Sequence, residues 1–198
     1  MSFATFPKML VSETEGWSDV ARVHPSVSKL FMTLVVPLSL VPPVLYAFAE
    51  LAHPGAIFPS MEPALMAREA FWVGGLFFLA ELAAVAFMAN VIQQIARSHQ
   101  CDTDYASAYA LAAIAPVPLW MASLALAIPS LWANVAVVAV AWWGTALLIR
   151  HGVRPLLAVH DPELAHRLAN RITFVGVMAW VGMMVVMALL LSVVLGWR

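Results

Sequence analysis

The sequence predicts an all-α integral membrane protein: a bundle of five transmembrane helices preceded by a short N-terminal interfacial amphipathic helix. Three observations carry that expectation. Of 198 residues, 63% are apolar and only 11% charged, and the mean hydropathy is +0.89, far from the balance of a soluble domain. Tyr105 to Ile149 contains no Asp, Glu, Lys, Arg or His, and Ile128-Pro129-Ser130 falls near the middle of that run. At about 1.5 Å per residue one helix of such length would be about twice as long as the hydrocarbon layer is thick, so the segment crosses, turns and crosses back. Finally, five stretches are each long and apolar enough to span: Leu30 to Leu51, Ala70 to Ile95, Tyr105 to Ile128, Leu131 to Ile149 and Ile172 to Leu195. The chain therefore divides into an interfacial segment, 1–28, and a five-span domain, 29–198.

In the first segment Ser12 and Glu15 have capping-box spacing, and Trp17, Val20 and Ala21 follow at i, i+3 and i+4, which predicts a short amphipathic helix. Phe3, Phe6, Met9 and Leu10 beside Lys8 suit either anchoring in the membrane interface or an arm that binds a partner. Charges at Lys8, Glu13, Glu15, Asp19 and Arg22, with no signal-type apolar run, leave nothing that looks cleavable. The first span carries Pro37, Pro42 and Pro43, and the third carries Pro116 and Pro118; each removes a backbone donor, so both helices are expected to kink or open. An opened turn in lipid needs neighbours to satisfy its carbonyls, which places these two spans at the centre of the bundle. The kinks suit packing, or a substrate site of the kind transporters build from broken helices. Pro54, Gly55, Pro59 and Pro63 mark a loop outside the membrane after the first span. Past the fourth span, Asp161-Pro162-Glu163 reads as a helix start, with Asp161 as N-cap, leading into the fifth span.

Orientation follows from the basic residues. With the N-terminus inside, the inner segments collect Lys8, Arg22, Lys29, Arg97, Arg150, Arg154, Arg167 and Arg171, and the outer ones hold only Arg68 and Arg198. The C-terminus is then outside. A net charge of −1 gives no concentrated basic face, which argues against a nucleic-acid partner. Membrane lipids are the expected surroundings. The single cysteine, Cys101, allows no internal disulfide and reads as an inert thiol.

Among residues able to carry chemistry, Glu81 stands out, because it sits near the middle of the second span, where an ionised side chain costs a few kcal/mol. It is expected on the bundle-facing side, with Gly74 two turns earlier on the same face. It is either a buried hydrogen-bonding or proton-handling group or a neutral acid that ties two helices together. Asn90, Gln93 and Gln94 point away from it at 100° per residue. Asn134 in the fourth span is a candidate for a hydrogen bond between helices. His151, His160, Asp161, Glu163 and His166 have a zinc-like composition without zinc-site spacing, and no nucleophile motif or phosphate loop occurs, so neither an enzyme nor a metal or other cofactor is expected. Trp72, Trp132 and Trp197 suit an aromatic belt, with Trp17 ahead of the first span; Trp142 and Trp143 lie deeper and are expected between helices. The methionines, Met183, Met184 and Met187 among them, read as apolar filler.

Glu15-Gly16-Trp17, His24-Pro25-Ser26-Val27, Pro37-Leu38-Ser39-Leu40-Val41-Pro42-Pro43, Tyr109 through Ala115-Pro116-Val117-Pro118-Leu119-Trp120, and Gly144 to Gly152 resemble the Yip-domain family of five-span membrane proteins that interact with Ypt/Rab GTPases, in its bacterial YohC-like branch. The resemblance implies five spans with a cytosolic N-terminus and, for this branch, a bacterial inner-membrane scaffold or envelope protein. The long N-terminal region and Asp-Leu-Tyr-Gly-Pro-type stretch of the eukaryotic members are missing, so GTPase binding does not carry over, and the family transfers no catalytic residues. The combined expectation is a non-enzymatic inner-membrane scaffold acting through helix packing with itself or with another membrane protein. The alternative is a small transporter or channel that uses the Pro-broken helices and Glu81. The candidate intramembrane polar or hinge residues are Glu81, Asn134, Tyr109, Pro37, Pro116 and Pro118.

Overall fold

The computed structural model describes residues 6–12, 16–53, 55 and 66–196. Two short helices, α1 (Phe6–Val11) and α2 (Trp17–Val23), precede five long ones. These are α3 (Val27–Ala52), α4 (Ala67–Ser98), α5 (Tyr105–Ala127), α6 (Leu131–Leu156) and α7 (Pro162–Gly196). Among the described residues, these five are long and apolar enough to cross a membrane, and the protein is a multi-pass membrane protein. Of the five, α5 is the most deeply covered by the rest of the protein and α7 the least.

The prolines act where they stand. Pro37 offers no N–H to the Thr33 carbonyl and crowds it, and the preceding turn, Phe31–Val35, widens into a π turn. The buried Ser39 hydroxyl donates to the Val35 carbonyl at 2.6 Å, satisfying one acceptor in the opened region. A second break falls at Leu40, ahead of Pro42 and Pro43, and α3 resumes with the Val44 N–H on the Leu40 carbonyl. In α5 the α-helical ladder stops at Ile114 and restarts at Val117, as Pro116 and Pro118 require, and the last turn tightens into a 3₁₀ form over Ser123–Ala127. Both broken helices pack at the centre: α5 lies along α4 and α6, and Pro43 of α3 lies 3.6 Å from the position of a Cβ on Gly74 of α4.

One end of the bundle carries α1, α2, the turn after Ser98 and the loop after Leu156; we call it the proximal end. Here the N-terminal segment docks onto the bundle instead of resting only at its surface. Met9 and Trp17 are completely buried and belong to the main core with Leu111, Leu148 and Val153. The Trp17 indole N–H donates to the Met9 carbonyl at 3.0 Å, and His151 Nδ1 lies 3.3 Å from the same oxygen, which can only accept, so the ring proton sits on Nδ1. Helix α2 opens at Gly16, with φ 86°, and not at Ser12, which closes α1; Glu15, the other half of the expected capping pair, lies outside the described residues. So do Phe3, Glu13, Pro54, Pro59, Pro63 and Trp197.

The same end is tied across helices. Thr103 donates from Oγ1 to the Leu157 carbonyl at 3.3 Å, and its own carbonyl accepts from Gln93 Nε2 at 3.2 Å. Arg171 Nη1 reaches His99 Nε2 at 3.2 Å. Asp161 bonds the Glu163 N–H at 3.0 Å and starts α7, which continues without a break into the fifth span.

Candidate functional site

Glu81 lies fourteen residues beyond the start of α4 and Thr145 fourteen beyond the start of α6, each about 21 Å along its helix from the distal end. Both are buried, with 6% and 4% of their surface exposed. Both line one half-enclosed cavity of about 910 Å³ to which all five spans contribute. Its wall is apolar almost throughout, with Val73, Phe77 and Met88 from α4, Leu119 from α5, Val138 from α6, and Met183 and Met187 from α7. Into this wall the chain sets a few polar groups: Glu81, Thr145, Tyr46, Ser123, Asn134 and the indoles of Trp120, Trp142 and Trp180. Among the described residues no cationic side chain lines it.

The polar groups are unequally satisfied. The Trp120 side chain interacts with the Glu81 carboxyl, while Glu81 Oε2 has no partner among the described residues. Thr145 Oγ1 has none either. Ser123 donates to the Trp120 carbonyl, which holds the end of α5 that carries the indole. Trp142 and Trp180 meet edge to face, with ring centroids 5.7 Å apart, closing the cavity between α6 and α7.

Of the other expected site residues, Pro116 lines the cavity, and Pro118 lies outside it, its Cβ 3.4 Å from the Cβ position of Gly144. Pro37 and Tyr109 do not line it; Tyr109 is buried in the core, its ring 6.0 Å from that of Tyr105. Asn134 corrects the expectation of a bond between helices. Its amide donates to the Ile128 and Ser130 carbonyls, at 3.1 and 2.8 Å, and so locks the α5–α6 turn. Trp143 is a second correction: it is 68% exposed and faces away from the bundle, because adjacent residues point 100° apart and Trp142 takes the inward direction.

Glu50 went unremarked in the sequence. Glu50 is 4% exposed, its Oε2 without a partner among the described residues, in the last turn of α3, outside the cavity. The signal was an acid inside a run otherwise free of charge, with Tyr46 one turn before it. Among the described residues no three His, Cys, Asp or Glu side chains gather as a metal site.

Five spanning helices, two of them broken at prolines, and a docked N-terminal segment define a polytopic membrane protein. The chain belongs to the Yip1 domain family, whose model matches residues 8–159, from α1 through the loop that follows α6. Helix α7 lies beyond the match. No curated protein and no solved structure matches the chain.

Proposed function

We propose that the protein is a non-enzymatic scaffold of the bacterial cytoplasmic membrane, its N-terminus cytoplasmic and its C-terminus periplasmic, that acts by lateral helix packing with a second copy or with another membrane protein. The observation that supports this reading most is the outer face of α7. Phe174, Met178, Val181, Val185, Leu189 and Val193 are all exposed there, at successive steps of three or four residues, the spacing that lets one helix lie along another. On the same face a Cβ at Gly182 would meet nothing within 4 Å, so a neighbouring backbone can approach closely, as helix association in lipid requires. Native mass spectrometry of protein extracted in mild detergent tests it. The expected result is a multimer or a stable co-purifying membrane protein, lost or reduced in Gly182→Leu. A monomer carrying lipid alone, in both forms, would contradict it.

The cavity favours a second reading, a small transporter or channel built on the Pro-broken α3 and α5 with Glu81. Solute or proton flux in proteoliposomes that disappears in Glu81→Gln is its expected result; absence of flux under every imposed gradient would remove it.

A further inference from the structure

We propose that the cavity between the five spans is a binding site for a lipophilic organic cation, held with its positive centre at the Glu81 carboxylate and its apolar groups among the indoles of Trp120, Trp142 and Trp180. The proposal rests on the cavity alone, and stands whether or not the bound molecule is carried across the membrane and whether or not α7 finds a partner.

Size is the first requirement. A space of about 910 Å³ lies in the range of about 300–1,000 Å³ that small-molecule sites occupy, and its wall buries a predominantly apolar guest. The second is charge. Glu81 lines the cavity and is 94% buried, its carboxyl interacts with the Trp120 side chain, and its Oε2 has no partner among the described residues. Among the described residues neither Lys, Arg nor His lines the cavity to meet it. An unpaired acid in an apolar interior is costly, and a guest that brings the positive charge removes that cost. The third is the wall itself. Three indoles line the cavity, and the negative face of an indole attracts a diffuse cation more strongly where water is excluded. A phospholipid chain would need none of these aromatic or acidic groups, and an inorganic cation would need several oxygen ligands gathered at one point, whereas among the described residues no further acid joins Glu81 in the wall.

Tetraphenylphosphonium is the probe, with neutral triphenylphosphine oxide as the uncharged control, both measured by equilibrium dialysis against the full-length protein in nanodiscs. The expected result is saturable binding of the cation to the wild type, weakened at least about tenfold in Glu81→Gln, and weakened severalfold in Trp180→Leu. The neutral control should bind wild type and Glu81→Gln alike. Equal binding of the cation by wild type and a folded Glu81→Gln overturns the proposal, as does no binding above empty nanodiscs.

A second measurement needs no variant. Dicyclohexylcarbodiimide, which labels carboxyl groups in apolar surroundings, is added with and without the cation, and the labelled peptides are mapped by mass spectrometry. The cation should protect Glu81 and leave Glu50 unprotected, because Glu50 is buried outside the cavity. Equal labelling of Glu81 with and without saturating cation contradicts the assignment.

Discussion

At the scale of single residues, the tightest constraint in the protein is Gly152. A Cβ there would stand 2.7 Å from Trp17 Cη2 and 2.8 Å from Leu111 Cδ1, both belonging to side chains that are completely buried and have no room to retreat. Gly152→Ala should therefore lower stability by about 1–3 kcal/mol, read as a fall in the thermal midpoint in detergent; an unchanged midpoint would mean that α2 is not docked as described. Thr145→Val should do the opposite. It removes a buried hydroxyl with no partner while keeping the shape, so the same measurement should show no loss or a gain of up to about 1 kcal/mol. Glu81 was legible in the sequence because one acid in a long apolar run is costly enough to demand a reason. Thr145 was not, since a threonine in a membrane helix ordinarily bonds a carbonyl of its own previous turn and draws no notice. Asn134 was legible as polar and misread as to partner, because the carbonyls of the adjoining turn compete with those of a second helix.

At the scale of elements, the proline breaks could be placed from the sequence alone, since a missing donor and a crowded carbonyl are local facts. The docking of α1 and α2 could not. The bond between His151 and the Met9 carbonyl joins positions 142 residues apart, and no local pattern encodes that pairing. Helix α5 shows how a local signal does fix an end. Asp104 is its N-cap, with Oδ1 accepting the Ser107 N–H at 3.0 Å. A bond from the Ser107 side chain, aided by that N–H, holds the Asp104 carboxyl below the ordinary aspartate value of 3.8 despite some burial. The ionised form is thus favoured by folding, so this contribution is complete above the unfolded value and fades as pH falls through the lower folded one. Asp104→Ala should cost about 1 kcal/mol near neutral pH and progressively less below about pH 4, read from thermal midpoints across a pH series. A difference between wild type and variant that persists unchanged in acid would show that the cap acts through packing and not through charge.

At the scale of the whole molecule, five spans and their order were legible because lipid imposes so strong a rule: a chain must bury its backbone polar groups in helices and its charges elsewhere. What lies between the spans was less so. The cavity depends on how α7 leans on α4 and α6 through Trp180 and Met88, contacts among residues whose types alone suit lipid equally well. The family match ends before that helix. The proposed topology rests on an odd number of crossings, which would set α1 and α2 on one face of the membrane and the end of α7 on the other. Accessibility tags at Met1 and Arg198, probed from each side of sealed membranes, test it most directly. The expected result is a tag at Met1 that is reached only from the cytoplasmic face and one at Arg198 reached only from the opposite face; two tags reached from the same face would contradict the fold and everything built on it.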